Sequence, residues 1–349
     1  MDFARLGFVG CGSHSTNNLY PMLKYARCRL QAVCDINEEA AAHNARVFGA
    51  QAVYTDIDTM LNQEDIDGVC VVGPHDMHFE LGKKVLERGL PLFVEKPPAP
   101  DLASTLEMAA LARANETFFM TGFMKRHGLA YVKARELINA GVFLPSVGFF
   151  KYAHWHTTPE NLPGMLMYMS IHIIDLALSF FGGVAEVMTC RSVVNNTLSL
   201  GVTLRFTSGR WAQLMLDGSQ PRIQERVEIS GQVDGQNALI VIDNLQHLEL
   251  HRQQHNGIDL LAPTMQDIEP HFELSDIQVW RPDYALPNMQ QNSPFIQGFA
   301  GEIREFVDAV IEDRDPYPSM DDAINAMQVV DAILTVPDGI VTLEPLTMG

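Results

Sequence analysis

The feature that most restricts this chain lies at its start, where the apolar run Arg5–Val9 leads directly into Gly10-Cys11-Gly12-Ser13-His14-Ser15. An apolar strand, a turn with glycines at its first and third positions, and a helical stretch to about Tyr25 form the opening of a βαβ unit. Gly10 would permit the tight turn, and Gly12 would let backbone approach a bound pyrophosphate. The small Ser15 would keep helix and strand closely packed. The phosphates would lie on the helix N-terminus, where free N–H groups and the dipole favour an anion. Cys11, Ser13 and His14 complete the candidate loop.

Asp35 ends the second predicted strand, Arg29–Cys34, 20 residues beyond Ser15. An acidic side chain there accepts hydrogen bonds from ribose hydroxyls and repels a 2′-phosphate. No arginine follows it in Asp35-Ile36-Asn37, so NAD is expected over NADP, with NADP kept as an alternative.

The alternation continues through helix Glu38–Phe48, strand Ala52–Tyr54, helix Ile57–Asn62 and strand Gly68–Val72. Helix His78–Arg88, strand Pro91–Val94, helix Leu102–Asn115 and strand Phe118–Gly122 follow. Such a series predicts an α/β domain with a doubly wound parallel sheet over residues 1–123. Beyond it the pattern changes. Helix Ala130–Ala140, strand Ser146–His156 and helix Gly164–Phe181 precede successive strand-like runs from Ala185 to about Leu250. Two amphipathic helices, Gly298–Glu312 and Met320–Thr335, come last. Residues 124–349 are therefore expected to form an α+β domain with a largely antiparallel sheet. The segment Gln253–Pro294 is polar and poorly periodic, an excursion rather than a domain.

A formal net charge of −19 argues against a nucleic-acid partner, which needs a basic face. Cys11, Cys28, Cys34, Cys70 and Cys190 contain no CxxC pair, a distribution suited to reduced thiols rather than a disulfide framework or zinc site. The N-terminus lacks a signal-peptide pattern, and no apolar run is expected to reach membrane-spanning length. A cytoplasmic protein without membrane contact is the expectation.

Further along, Gly73-Pro74-His75-Asp76-Met77-His78 follows one buried strand and Glu95-Lys96-Pro97 the next. With Gly122-Phe123-Met124-Lys125-Arg126 and Ile171-His172-Ile173-Ile174-Asp175, these segments resemble the Gfo/Idh/MocA oxidoreductases. The resemblance implies a Rossmann domain plus an open-faced sheet with the substrate pocket on one face. The other face would pack against a second subunit, in a homodimer or homotetramer. It also implies that Pro74 and His78 lie near the nicotinamide. Glu95-Lys96-Pro97 would bring the lysine to the reacting carbon, often through a cis Lys–Pro bond.

The residue chemistry agrees. Lys96 ends a parallel strand, where open α/β sheets place ligands. Its ammonium would stabilise an alkoxide or polarise a carbonyl, and His172 would exchange the hydroxyl proton. The plainer alternatives are a surface lysine paired with Glu95, and a histidine satisfied by Asp175. One departure from the family stands out. Four positions before the helix histidine, where the sugar and inositol dehydrogenases usually carry an acid, this chain has Tyr168. The tyrosine would relay a proton, contact a different substrate, or pack among the neighbouring methionines; loss of turnover is the further alternative.

Lys125, Arg126, His154, His156 and Asp175 complete the candidate substrate contacts, with a structural ion pair as the alternative for Arg126. His154 and His156 should share one strand face, where they would line the pocket or make a subunit contact. A metal site shared with His172 is the less favoured alternative, so no metal is expected. Together these readings predict hydride transfer between NAD(P) and a secondary alcohol of a sugar, inositol or related polyol. The rivals are a redox-neutral sugar enzyme using transient oxidation and elimination, and a catalytically silent nucleotide-binding sensor.

Overall fold

The computed structural model describes residues 2–154, 157–253, 275–282, 293–336 and 338–343. The first half builds a parallel sheet from β1 (Ala4–Val9), β2 (Cys28–Cys34), β3 (Ala52–Tyr54), β4 (Gly68–Val71), β5 (Leu92–Val94) and β6 (Phe119–Thr121). Its order is β3-β2-β1-β4-β5-β6, the doubly wound arrangement expected. The four residues of β4 and the three of β5 are all buried, because helices cover both faces of the sheet. Local signals fix the helix starts. The Asn37, Asp56 and Asp101 side chains each accept hydrogen bonds from backbone N–H groups of the helices they precede. The strand order reverses between the parallel neighbours β1 and β4, and the crevice at their carboxyl ends receives the Gly10–Ser15 and Gly73–Pro74 turns.

The second sheet comprises β7 (Leu144–Ala153), β8 (Val184–Val194), β9 (Thr197–Phe206), β10 (Trp211–Asp217), β11 (Gln224–Val233), β12 (Gln236–Asp243), β13 (His247–Gln253), β14 (Ser275–Trp280) and β15 (Gly339–Thr342). Their order is β14-β13-β12-β11-β7-β10-β9-β8-β15. Every pairing is antiparallel except β10 with β7. Strict alternation along β9 and β11 buries one face, with Phe206 stacked on Phe181 of the Ile171–Phe181 helix at 5.0 Å. The opposite face leaves Phe149, Met188, Trp211 and Met215 exposed.

The elements depart from expectation at several points. The Phe299–Glu312 helix does not stay with the second sheet. Its Ile303, Phe306 and Val307 join the core of the first, beside Phe8, Phe93 and Phe118, so a cut after residue 123 follows chain order but not packing. The predicted Gly164–Phe181 helix starts at Leu162 and contains a π-helical stretch, Met165–Ser170, before the α-helix resumes. With the turn at Pro159–Asn161, that run is long and apolar enough to cross a bilayer, contrary to expectation, yet it is mostly buried within the protein. Pro21 likewise alters the first helix, which becomes a π turn at Ser15–Leu19 and a 3₁₀ turn at Tyr20–Tyr25, since proline has no N–H to continue an α pattern.

Candidate active site

Gly10 has φ +103°, and a Cβ there would stand 1.8 Å from the Val72 carbonyl oxygen. Only glycine satisfies both constraints. At Gly12 a Cβ would meet nothing within 4 Å, so the space over this residue is open to a ligand. Asp35 holds the turn: one carboxylate oxygen accepts the Cys11 N–H at 2.6 Å and the other the Asn37 N–H at 2.8 Å. Buried Ser15 donates to the Gly12 carbonyl. These residues fit a dinucleotide, with open space where phosphates would lie and a carboxylate at the end of the second strand.

A cleft of about 330 Å³ runs from this loop to Lys96 and Tyr168. Gly12, Ser13, His14 and Ser15 line one side; Gly73, Pro74 and His75 line another. Glu95 forms part of the wall, with its carboxylate buried beneath His14, whose Nε2 lies 3.1 Å away. Its other oxygen accepts the Lys96 N–H. Burial works against its charge, but the His14 bond and Lys96 prevail and hold the carboxyl below its usual range. The Lys96–Pro97 peptide is cis. Its ammonium reaches across to the backbone carbonyl of Tyr168, at 2.8 Å.

Pro74 lines the cleft, whereas His78 is buried beneath it. His78 Nδ1 lies 2.7 Å from the Pro97 carbonyl, and its Nε2 accepts the Gly73 N–H. This pair fixes a neutral tautomer, which burial also favours by lowering the pKa. The expected cofactor contact is thus corrected: His78 ties together the two turns that carry Pro74 and Lys96.

His172 is half-buried, its ring edge-on to Phe123, and its Nδ1 is buried without a hydrogen-bond partner; it is not among the residues that line the cleft. Burial, followed by Lys96, Lys125 and His14, depresses its pKa well below the ordinary value, so the imidazole is neutral and able to take a proton. Tyr168 is half-exposed, and its hydroxyl contacts His75 Nδ1 across the cleft mouth. Lys96 is also lowered, chiefly by burial.

The remaining candidates divide. Arg126 and Asp175 are wholly buried and joined by three hydrogen bonds; Arg126 also pairs with Asp322 at 3.0 Å. Their expected substrate contact is corrected to an interior ion pair, because a charge removed from water needs its counter-charge there. Lys125 is buried against Glu225, which also accepts from Tyr131, so its expected substrate contact is corrected to a second interior ion pair. His154 lies beyond the end of β7, with Nδ1 3.2 Å from Thr157 Oγ1. His156 falls outside the described residues. Among the described residues no three His, Cys, Asp or Glu side chains gather as a metal site.

Sequence reasoning missed His75, Glu225 and Glu302. His75 sat unremarked inside the Gly73–His78 motif. Glu225 and Glu302 lie in ordinary strand and helix patterns, and only the fold brings them to Lys125 and to Glu95.

Residues 4–123 match the oxidoreductase family model described as an NAD-binding Rossmann fold, and residues 140–335 match its C-terminal alpha/beta domain. A 2,7-anhydro-N-acetylneuraminate hydratase of Mediterraneibacter gnavus is 30% identical over 187 residues, 46% of this chain and 48% of that protein; the match thus spans about half of the hydratase. A D-apiose dehydrogenase of Paraburkholderia graminis is 24% identical over 268 residues, 73% of this chain and 72% of its own. Among solved structures, a dehydrogenase from Chromobacterium violaceum superposes with a TM-score of 0.83 at 23% identity, covering 97% of this chain and 96% of the other. The glycine turn, the Glu95-Lys96-Pro97 corner, the two sheets and both matched models place this chain in the Gfo/Idh/MocA family of NAD-binding oxidoreductases.

Proposed function

We propose that the protein oxidises a secondary alcohol of a sugar, inositol or related polyol, reversibly, with Lys96 and His172 as its catalytic residues and Tyr168 shaping the substrate side. The observation that supports this reading is a half-buried Lys96 at one end of a cleft whose other end is the glycine turn, with the charge of His172 disfavoured by burial and then by Lys96. Bound NAD would supply the acceptor for the hydride leaving the hydroxyl carbon. Lys96 orients the substrate oxygen and stabilises its developing negative charge. His172 takes the hydroxyl proton. The Gly10–Ser15 loop, Asp35, Pro74 and the Glu95-Lys96-Pro97 corner hold the cofactor, with NAD favoured over NADP by the Asp35 carboxylate.

The exposed sheet face around Phe149, Met188, Trp211 and Met215 suits a second copy of the chain, and light scattering on the purified protein tests that pairing. The test of function is NADH formation with NAD across a panel of inositols, aldoses and sugar acids, with Lys96→Ala alongside. The expected result is turnover on one substrate class that falls by roughly 10²–10³-fold in the variant. Tight nucleotide binding without net NADH would instead point to the redox-neutral enzyme or the sensor.

A further inference from the structure

The nucleotide cleft is lined almost entirely from the first sheet. Gly12 to Ser15, Val72 to His75, Glu95 and Lys96 lie at the carboxyl ends of β1, β4 and β5. Among the described residues that line it, Tyr168 alone comes from beyond residue 123. It belongs to the π-helical stretch Met165–Ser170, a geometry frequent at functional sites. That one residue touches two walls. Its backbone carbonyl accepts the Lys96 ammonium at 2.8 Å, on the corner after β5. Its hydroxyl is hydrogen-bonded to Nδ1 of His75, the first residue of the helix that follows β4.

The two contacts differ in kind. The Lys96 link runs through the backbone and survives any side chain at 168. The His75 link is made by the Tyr168 side chain, which is 45% exposed, and the bond itself faces solvent. Water replaces such a bond without leaving a buried polar group unpaired, so it opens readily. While it is closed, the two rings meet edge to face, with centroids 5.1 Å apart and planes at 87°. Aromatic pairs favour that arrangement, and it holds the phenol against the turn that carries Pro74.

We propose that Tyr168 and His75 form a latch across the nucleotide cleft, which the cofactor must open both to enter and to leave. A dinucleotide with its phosphates on the Gly10–Ser15 loop is enclosed at the Lys96 end when the bond is made. The bond lies between two protein groups and not to the nucleotide. Weakening it raises the open fraction for entry and exit alike, which speeds both rates and leaves the affinity as it was. The latch concerns the cofactor alone and does not rest on the alcohol that is oxidised.

The test is stopped-flow binding and displacement of NADH on the full chain, read by the fluorescence of the nucleotide. Wild type is compared with Tyr168→Phe, His75→Phe and the double variant. Each single substitution removes the hydrogen bond and keeps an aromatic ring at the contact, and thermal melts verify that the fold is retained. Each should raise the association and dissociation rate constants together by roughly three- to tenfold, the range of one net hydrogen bond, with Kd held within about twofold. The double variant should be no faster than either single one, because both substitutions remove the same bond. Unchanged rates in either single variant would overturn the latch, as would effects that multiply in the double. Faster release with entry unaltered would overturn it too, by making the pair a direct contact of the nucleotide. Turnover on any alcohol is read separately, so a chain that oxidises none of them leaves the outcome for the latch as measured.

Discussion

The Lys96 ammonium bonds to the backbone carbonyl of Tyr168 at 2.8 Å, while the Tyr168 hydroxyl makes a separate contact with His75 Nδ1. The anchoring of the lysine therefore does not depend on the side chain at 168. Tyr168→Phe should keep Lys96 in place and lose only the bridge across the cleft mouth. The expected effect is a fall in kcat/KM of roughly three- to thirtyfold, the range of one hydrogen bond, with NAD affinity unchanged. A loss as deep as that of Lys96→Ala would instead make the phenol a proton-transfer group.

The pH profile follows from the two lowered pKa values. His172 must be neutral to accept a proton, and burial, with Lys96 and Lys125 nearby, holds it well below the ordinary histidine value. Lys96 must stay charged, and burial lowers it from the ordinary lysine value. So kcat/KM for oxidation should rise through an acid limb below about pH 6.5 and decline through a basic limb below about pH 10.4, those being the unperturbed values. His172→Gln should remove the acid limb and lower the plateau by about 10²–10⁴-fold. An acid limb that persists in this variant would take the proton away from His172.

Much of this was legible in the sequence because it rests on local rules. Gly10, Gly12, Asp35 and the apolar β4 each announce themselves through neighbours along the chain. So do the caps at Asn37, Asp56 and Asp101. What escaped was long-range. Arg126 and Asp175 are 49 positions apart, and nothing local says that they meet in the interior. The return of Phe299–Glu312 to the first sheet was equally hidden, since its amphipathic pattern names a buried face but not what covers it. His78 was misplaced by its motif, which gave the right turn but not the direction of its ring. The π-helical stretch at Met165–Ser170 has no counterpart in a spacing argument built on α geometry.

Two glycines in one turn should fail in different ways. Gly10→Ala brings a methyl into the Val72 carbonyl at a left-handed φ, and should cost on the order of 3 kcal/mol of stability or abolish folding. Gly12→Ala meets no atom of the protein, so its Tm should match the wild type. Its methyl would instead occupy ligand space, weakening NAD by roughly tenfold or more. Thermal melts and a nucleotide titration on both variants check this. Wild-type NAD affinity in Gly12→Ala would remove the pyrophosphate from this loop.

Cofactor choice should turn on Asp35 and its neighbour. The carboxylate braces the Cys11 and Asn37 N–H groups, and Ile36 is 86% exposed, in position for an arginine to reach a 2′-phosphate. Wild-type kcat/KM should favour NAD over NADP by about tenfold or more, and Asp35→Ser with Ile36→Arg should lower that ratio by at least about tenfold. Equal use of both nucleotides by the wild type would show that the loop, rather than the carboxylate, sets the preference.

Glu302 gives the clearest link between a buried charge and stability. It sits wholly buried on the Phe299–Glu312 helix with both carboxyl oxygens unpartnered. Burial raises its pKa well above the ordinary value, Glu95 adds to the rise, and Lys96 only partly opposes it. Below about pH 4.3, the unperturbed value, folded and unfolded chains are both protonated there and the group has no pH effect. Above that, the unfolded chain releases the proton while the folded chain retains it. The folded state then loses stability by up to about 1.4 kcal/mol per pH unit until its own pKa is reached. Glu302→Gln is neutral in both states and escapes this loss. Urea unfolding at a series of pH values should therefore show the variant gaining on the wild type as pH rises. A stability difference that does not change with pH, or a variant that falls behind in alkali, would mean that the carboxylate is ionised inside the fold.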